Sequence, residues 1–359
     1  MGMIGLVKKI FINGKFFCQR VTGTQRYARE LLHAFDSLVG QEENKDIAIQ
    51  VLVPRGAESI PRYANLEVRS VGWMRGTKWE QLELPWYCRG HILLTLSGGA
   101  PIVHSRNVVT IHDAAVAAVP NGYSFLYRVW HRSICRWMAQ TAKRIFTDSH
   151  FSKSEIVRWY GAAADKVSVC YLGSDHFSRL QADASAPARF GISGKYILAV
   201  SSYNPNKNFH RVVDAFHILD KKDIQLVIIG GNDNRIYRDI AALPPDVRSL
   251  GYVSDAELKA LYEHAACFVF ASLYEGFGLP PLEAMASGCP IVVSRTASLP
   301  ELFHGAALFC DPYDSKDIAA AIRSALQRPL LSGEESKAFA ARYRWNTCAH
   351  EILEAIRRL

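Results

Sequence analysis

Two glutamates, Glu275 and Glu283, stand in the stretch SLYEGFGLPPLEAMASGCPIVVS, residues 272–294. Between them lie Gly276, Phe277, Gly278, Leu279 and a Pro280-Pro281 pair. Glycines let the backbone come close to a ligand. Prolines in a first turn mark a helix start, where N–H groups and the helix dipole favour phosphate. Carboxylates accept hydrogen bonds from hydroxyls. Phosphate donors beside hydroxyl acceptors suit a sugar nucleotide. A capped helix with one solvent-facing glutamate fits the same letters, so the loop by itself leaves both readings open.

Three further groups carry potential chemistry. Lys207, in SSYNPNKNFH, sits at a helix start between Asn206 and Asn208 and can neutralise a diphosphate. His112 and Asp113, in VTIHD, follow an apolar run. A histidine there donates a hydrogen bond to a substrate hydroxyl or acts in acid–base work; Asp113 orients it or binds an acceptor. Thr22, Gly23 and Thr24 form a small turn before a helix whose first residues include Arg26, and such a turn can approach a phosphate or a sugar.

The elements that must position these residues alternate. Strand-like runs are KIFING, IAIQVLVP, HILLTL, NVVTIHD and RIFTDS in the first half, then KYILAVSS, IQLVIIGG, VRSLGYV, CFVFAS, PIVVS and AALFCD. Between them lie segments with apolar residues at helical spacing, including TQRYARELLHAF, NFHRVVDAFHIL, a segment near RIYRDIAAL, DAELKALYEHA and SKDIAAAIRSALQR. Continuous apolar strands alternating with helices predict an α/β chain with parallel sheets covered on both faces. A length of 359 residues favours two domains. The expected organisation is two Rossmann-like domains, 1–180 and 181–342, facing across a cleft, with a final helix in 343–359. The polar stretch 178–194 reads as the linker.

Net charge is +8, and residues 1–180 hold all the excess, 23 Lys+Arg against 14 Asp+Glu. Such a field favours an anionic partner. Within 123–142, Arg128, Arg132 and Arg136 form one stripe, with Trp130, Ile134 and Trp137 on another face. That pairing suits docking on an anionic membrane surface, or a core-packed helix with a solvated basic face. No apolar run approaches the roughly 20 residues of a membrane span, and Lys8 and Lys9 interrupt the first one, so no signal peptide is expected. None of the 8 cysteines makes a CxxC pair, and they read as buried thiols of a reducing cytoplasm. No nucleic-acid-reading module is recognised, so no nucleic-acid partner is expected.

In this order the pieces resemble the retaining glycosyltransferases of GT-B fold, family four. The resemblance rests on YEGFGLPPLEAMASG with its E-x7-E spacing, on SRTASLPEL, GAALFCDP and the Pro-x-Lys-Asn of SSYNPNKN, and on VTIHD, TDSHFSKSEI and VTGTQRYAREL. It implies that Lys207 binds the donor phosphates and that amides from Gly276 to Leu279 hold the distal phosphate. It implies Glu283 on the nucleotide ribose, Glu275 beside the moving sugar, and base contact near Tyr252 and Val253. His112 would touch a sugar hydroxyl, the Gly23 turn would line the reaction centre, and the last helix would cross back to the first domain. Catalysis would need no metal or cofactor. One departure stands out: many members carry an arginine where Ser201 and Ser202 stand. Ser202 then falls among the donor-contacting positions, and Arg26 is a candidate for the missing charge. The form without that arginine is similar to bacterial mannosyltransferases of O-antigen and exopolysaccharide assembly. That implies GDP-mannose as donor and a lipid-diphosphate-linked acceptor at the cytoplasmic face of the inner membrane, the enzyme being peripheral there. UDP-glucose or dTDP-rhamnose as donor, or a sugar-nucleotide epimerase of similar fold, are the alternatives.

Overall fold

The alternation of buried strands and helices builds two parallel sheets in the computed structural model, which describes residues 7–57, 60–200, 205–219, 223–230 and 246–359. The first sheet contains β1 (Lys8–Asn13), β2 (Ile47–Pro54), β3 (Glu67–Val71), β4 (Ile92–Thr95), β5 (Asn107–Thr110), β6 (Arg144–Thr147) and β7 (Val167–Val169), in the order β3-β2-β1-β4-β5-β6-β7. The second contains β8 (Lys195–Val200), β9 (Ile224–Ile229), β10 (Val247–Gly251), β11 (Cys267–Phe270), β12 (Ile291–Ser294) and β13 (Leu308–Cys310), in the order β10-β9-β8-β11-β12-β13. Every pairing is parallel. Both sheets thus share the doubly wound order of dinucleotide-binding folds. In each, the order reverses once, between β1 and β4 and between β8 and β11. Ligands of open α/β sheets bind outside the carboxyl ends of the strands at such a reversal.

Strand burial explains which elements were legible. β4, β5, β11 and β12 are buried at every position, as continuous apolar runs require when helices cover both faces. β3 and β7 were missed. Both are edge strands, and β3 reads EVRSV with three exposed positions, so no apolar run marks it. The expected helix near RIYRDIAAL lies outside the described residues.

The chain divides into one unit of Met1–Ala118, Tyr123–Gly173 and Arg344–Leu359, and another of Val119–Gly122 and Ser174–Tyr343. The stretch expected as a linker, 178–194, lies within the second unit. It forms a short helix, Ala186–Arg189, and Arg189 pairs with both Asp183 and Glu257. Its polarity therefore reflects a surface held by ion pairs. Seven cysteines are buried and Cys18 is exposed.

The final helix, Trp345–Arg357, places Trp345, Cys348, Ala349, Ile352, Leu353 and Ile356 on one buried face. It packs on the helix Gly23–Val39 of the first unit. Lys8 Nζ donates to the carbonyls of Ile356 and Arg357 at 3.1 and 2.9 Å, satisfying the C-terminal acceptors that a helix leaves open. Truncating Leu353 to Ala should lower unfolding free energy by about 2–5 kcal/mol, measured by denaturant titration. A loss below about 1 kcal/mol would mean that this helix does not support the first unit.

Candidate active site

In the second unit, Lys207 and Glu275 come from the loops after β8 and β11, the two strands flanking the reversal. Lys207 Nζ donates to Glu275 Oε1 at 2.5 Å, and the ammonium lies 5.1 Å from the Phe270 ring centroid. Backbone bonds join the two loops, with Leu273 N donating to Asn206 O at 2.7 Å. Asn208 caps the helix Phe209–Ile218 with a left-handed φ of 59°. Its side-chain amide donates to Ala271 O at 2.9 Å and Pro312 O at 2.6 Å. The asparagine after Lys207 is thus a fold residue that sets where the lysine stands. Ser202 lies outside the described residues.

The glycine loop is held from below. Ser298 is buried, and its hydroxyl faces two carbonyl acceptors, Glu275 O at 3.0 Å and Phe277 O at 3.2 Å. Phe277 is buried and meets Tyr343 edge-on. Gly278 caps the helix Leu279–Ala286 at φ 105°, and a Cβ there would stand 2.7 Å from Leu299 Cδ2. Glycine is required at that position on both counts. The prolines occupy the first turn as expected. Glu283 is buried in the helix, and His176 Nε2–H donates to its Oε1 at 3.1 Å. His176, itself buried on the helix Asp175–Arg179, was missed because nothing in YLGSDHF marks it as partner to a residue 107 positions later. Tyr252 is exposed and Val253 buried, just past β10, two strands from the reversal.

In the first unit, His112 follows β5. Its Nδ1 is 2.8 Å from Asp148 Oδ2 and its Nε2 is 3.2 Å from Leu96 O. Both neighbours are acceptors, a setting that favours an N–H on each ring nitrogen. Burial pulls the His112 pKa down, but the Asp148 carboxylate outweighs it by charge and hydrogen bond, and the net direction is up. The partner that orients the ring is Asp148, just past β6, and not the adjacent Asp113, whose Oδ1 accepts from Ala115 N at 2.8 Å. Tyr27 supports the His112 ring edge-on at 4.7 Å and is itself backed by Trp345.

Gly23 opens the helix Gly23–Val39 behind a capping box of Thr22 and Gln25. Its φ is not positive and an added Cβ would meet nothing within 4 Å, so the fold alone does not demand glycine there. Thr24 and Arg26 are half-buried in the same first turn. Asn13, Lys15 and Glu80 form a further group that no local sequence pattern marks. Lys15 Nζ and Asn13 Nδ2 donate to the two oxygens of the buried Glu80 at 2.5 and 2.8 Å, past the carboxyl end of β1. Burial raises the Glu80 pKa against the opposing pull of Lys15.

The helix Phe125–Thr141 departs from its expected faces. Ile134, Cys135, Met138 and Ala139 are buried, and Trp137 packs half-buried on that core. Arg132 lies over the Trp159 ring, and Arg136 Nε donates to Trp159 O at 3.4 Å. Arg128 lies over Phe125. Trp130 is exposed together with Phe125, Leu126 and Val129. Trp73, Trp86, Ile102 and Val103 are exposed elsewhere on this unit, whereas Trp79 is fully buried with Nε1 on Val71 O.

Two outcomes follow from this geometry. Gly278→Ala should destabilise by at least the roughly 1–2 kcal/mol of left-handed backbone, with the Leu299 clash added; unchanged stability in denaturant would refute the packing. The raised His112 pKa contributes stability that is complete below the ordinary histidine value of about 6.5 and is lost as pH rises through the folded value. The thermal midpoint should therefore fall from pH 6 to pH 9, at the ~6.5 pivot, more steeply in the native chain than in Asp148→Asn. Equal slopes would refute the upward shift that Asp148 imposes on His112.

Comparison with known proteins agrees with the two sheets just described. Residues 186–344 match the family "Glycosyl transferases group 1". The chain is 31% identical over 274 residues to O-antigen chain mannosyltransferase B of Escherichia coli, covering 71% of each protein. It is 29% identical over 234 residues to O-antigen chain mannosyltransferase RfbU of Salmonella typhimurium, covering 64% of this chain and 63% of that protein. Sucrose-phosphate synthase of Thermosynechococcus elongatus superposes with a TM-score of 0.74 at 18% identity over 98% of both chains, which speaks to fold alone. With two doubly wound parallel sheets and a relative of this identity and coverage, the chain belongs to the group 1 glycosyltransferases and has the GT-B fold.

Proposed function

We propose that this glycosyltransferase moves mannose from GDP-mannose to a glycan acceptor carried on a lipid diphosphate, with retained anomeric configuration and without a metal. The observation that carries the reading is the Lys207–Glu275 pair beside the strand-order reversal of the second sheet. Two relatives named as O-antigen chain mannosyltransferases support mannose as the sugar.

The roles follow from the chemistry of each group. An ammonium has three N–H donors, and Glu275 takes one, which leaves donors for a diphosphate. Lys207 then stabilises the charge that grows on the leaving diphosphate, the electrostatic task that a metal performs elsewhere. Glu275, held by that lysine and by the Ser298 bond to its carbonyl, accepts from a hydroxyl of the moving sugar. Backbone from Gly276 to Leu279 faces the distal phosphate. Glu283, steadied by His176, takes the ribose hydroxyls, and Tyr252 and Val253 border the base. Attack comes from the face that the diphosphate leaves, and the diphosphate accepts the acceptor's proton. His112 binds a sugar hydroxyl through Nε2, which exchanges its longer 3.2 Å contact with Leu96 O for the substrate.

Among the described residues no helix is long and apolar enough to cross a membrane. Peripheral attachment to the cytoplasmic face of the inner membrane is supported by the exposed Phe125, Leu126, Val129 and Trp130 beside Arg128. Trp73, Trp86, Ile102 and Val103 add aromatic and aliphatic surface to the same basic unit.

A donor screen with membrane-extracted lipid-linked acceptor tests the reading. Transfer from GDP-mannose with retention is the expected result. Transfer only from UDP-glucose or dTDP-rhamnose would remove the mannose assignment, and an epimer formed from donor alone would overturn transfer itself. Lys207→Ala and Glu275→Ala should each lower kcat by about 10²-fold or more with the fold intact by circular dichroism; full activity in both would refute the site.

A further inference from the structure

A buried ion pair is a poor source of stability, because desolvating two charges offsets their attraction. The Lys15–Glu80 pair is such a case. Their side chains are 12% and 2% exposed. Replacement of such a pair by apolar residues of similar volume is often neutral or stabilising, so its presence calls for another reason.

Its position supplies one. Lys15 and Asn13 stand at the carboxyl end of β1, and Gly98 and Gly99 follow the neighbouring β4, so the pair sits at the strand-order reversal of the first sheet. Both facing positions lack side chains. A Cβ on Gly98 would lie 3.9 Å from Lys15 Nζ, and one on Gly99 would lie 3.7 Å from Glu80 Oε2. Glu80 rides on a π-helical turn, Trp79–Glu83, a distortion frequent at functional sites. The loop after β4 also supplies the Leu96 carbonyl to His112. The first unit thus repeats the second: a lysine after the first strand of its sheet, bonded to a glutamate.

We propose that Lys15, fixed and neutralised by Glu80, binds the hydroxyls of the acceptor's terminal sugar in the first unit. This rests on the glycan acceptor proposed above. A lone lysine favours phosphate, but with Glu80 beneath it the pair has no net charge while the ammonium keeps donors to spare. Lys207 is paired in the same way but is more open, 22% exposed against 12%; Lys15 is held more deeply, with Asn13 on the second Glu80 oxygen, so its remaining N–H donors are directed and suit hydroxyls. Glu80 and Asn13 act through Lys15 and are positioning residues.

The test is binding of octyl α-mannoside and octyl β-N-acetylglucosaminide to the full chain, followed by calorimetry and independent of turnover. The double variant Lys15→Met with Glu80→Met removes both charges together, so no unpaired charge is left to unfold the chain. Its thermal midpoint should hold, and its affinity for the glycoside that binds the native chain should fall at least tenfold. GDP-mannose affinity should stay within twofold. Glu80→Gln, which leaves the lysine charge uncompensated, should weaken the glycoside and strengthen inorganic phosphate. Glycoside affinity unchanged in the double variant, or no glycoside bound by the native chain, would overturn the inference. Glycoside binding without any transfer from a sugar nucleotide would instead count against the proposed function.

Discussion

Parallel strands cannot be joined by tight turns. Each connection must cross over the sheet, and nearly all do so with one hand. A sheet built outward from its first strand in one direction and then in the other therefore reverses order once, and the loops on either side of that point part at the carboxyl ends. Both sheets of this chain obey that constraint. Lys15 and the Gly98-Gly99 turn flank the reversal of the first; Lys207 and Glu275 flank that of the second. The remaining chemistry of the chain is arranged around those two gaps.

Around them the charges are kept in partnership. Lys207 with Glu275, Lys15 with Glu80, His112 with Asp148 and His176 with Glu283 all lie largely out of water. A buried charge left alone is far more costly than one that is paired and hydrogen-bonded. Pairing therefore lets the fold hold these groups largely out of water. It also fixes how each is oriented: His112 stands between two acceptors, and Lys15 is tied to a glutamate. The backbone beneath these groups is fixed by neutral polar residues, Asn208 and Ser298, bonded to carbonyls of neighbouring loops.

Much of this was legible before any coordinates. The apolar runs located eleven of the thirteen strands among the described residues, because strands covered on both faces must be apolar throughout. The edge strands β3 and β7 escaped for the same reason in reverse. Glu275, Glu283 and the glycine loop stand out as candidates because their spacing is local, within one loop and the start of one helix, and Lys207 through the Pro-x-Lys-Asn around it, 68 residues earlier than Glu275. The basic helix at 125–141 was found, but its faces were misjudged. Helical spacing indicates which residues share a side, and only packing indicates that Trp137 joins the core and that Arg132 and Arg136 lie on Trp159.

By itself, then, the sequence determined the alternation of elements, the two-sheet class and the local anatomy of the glycine loop, since short-range periodicity and turn chemistry govern all three. Tertiary structure alone decided the partners. Asp148 rather than Asp113 holds His112, His176 holds Glu283, and Glu80 holds Lys15, at separations of 36, 107 and 65 residues. Side chains that far apart meet only because parallel strands bring distant segments side by side, and no pattern within a single segment encodes which segment that will be.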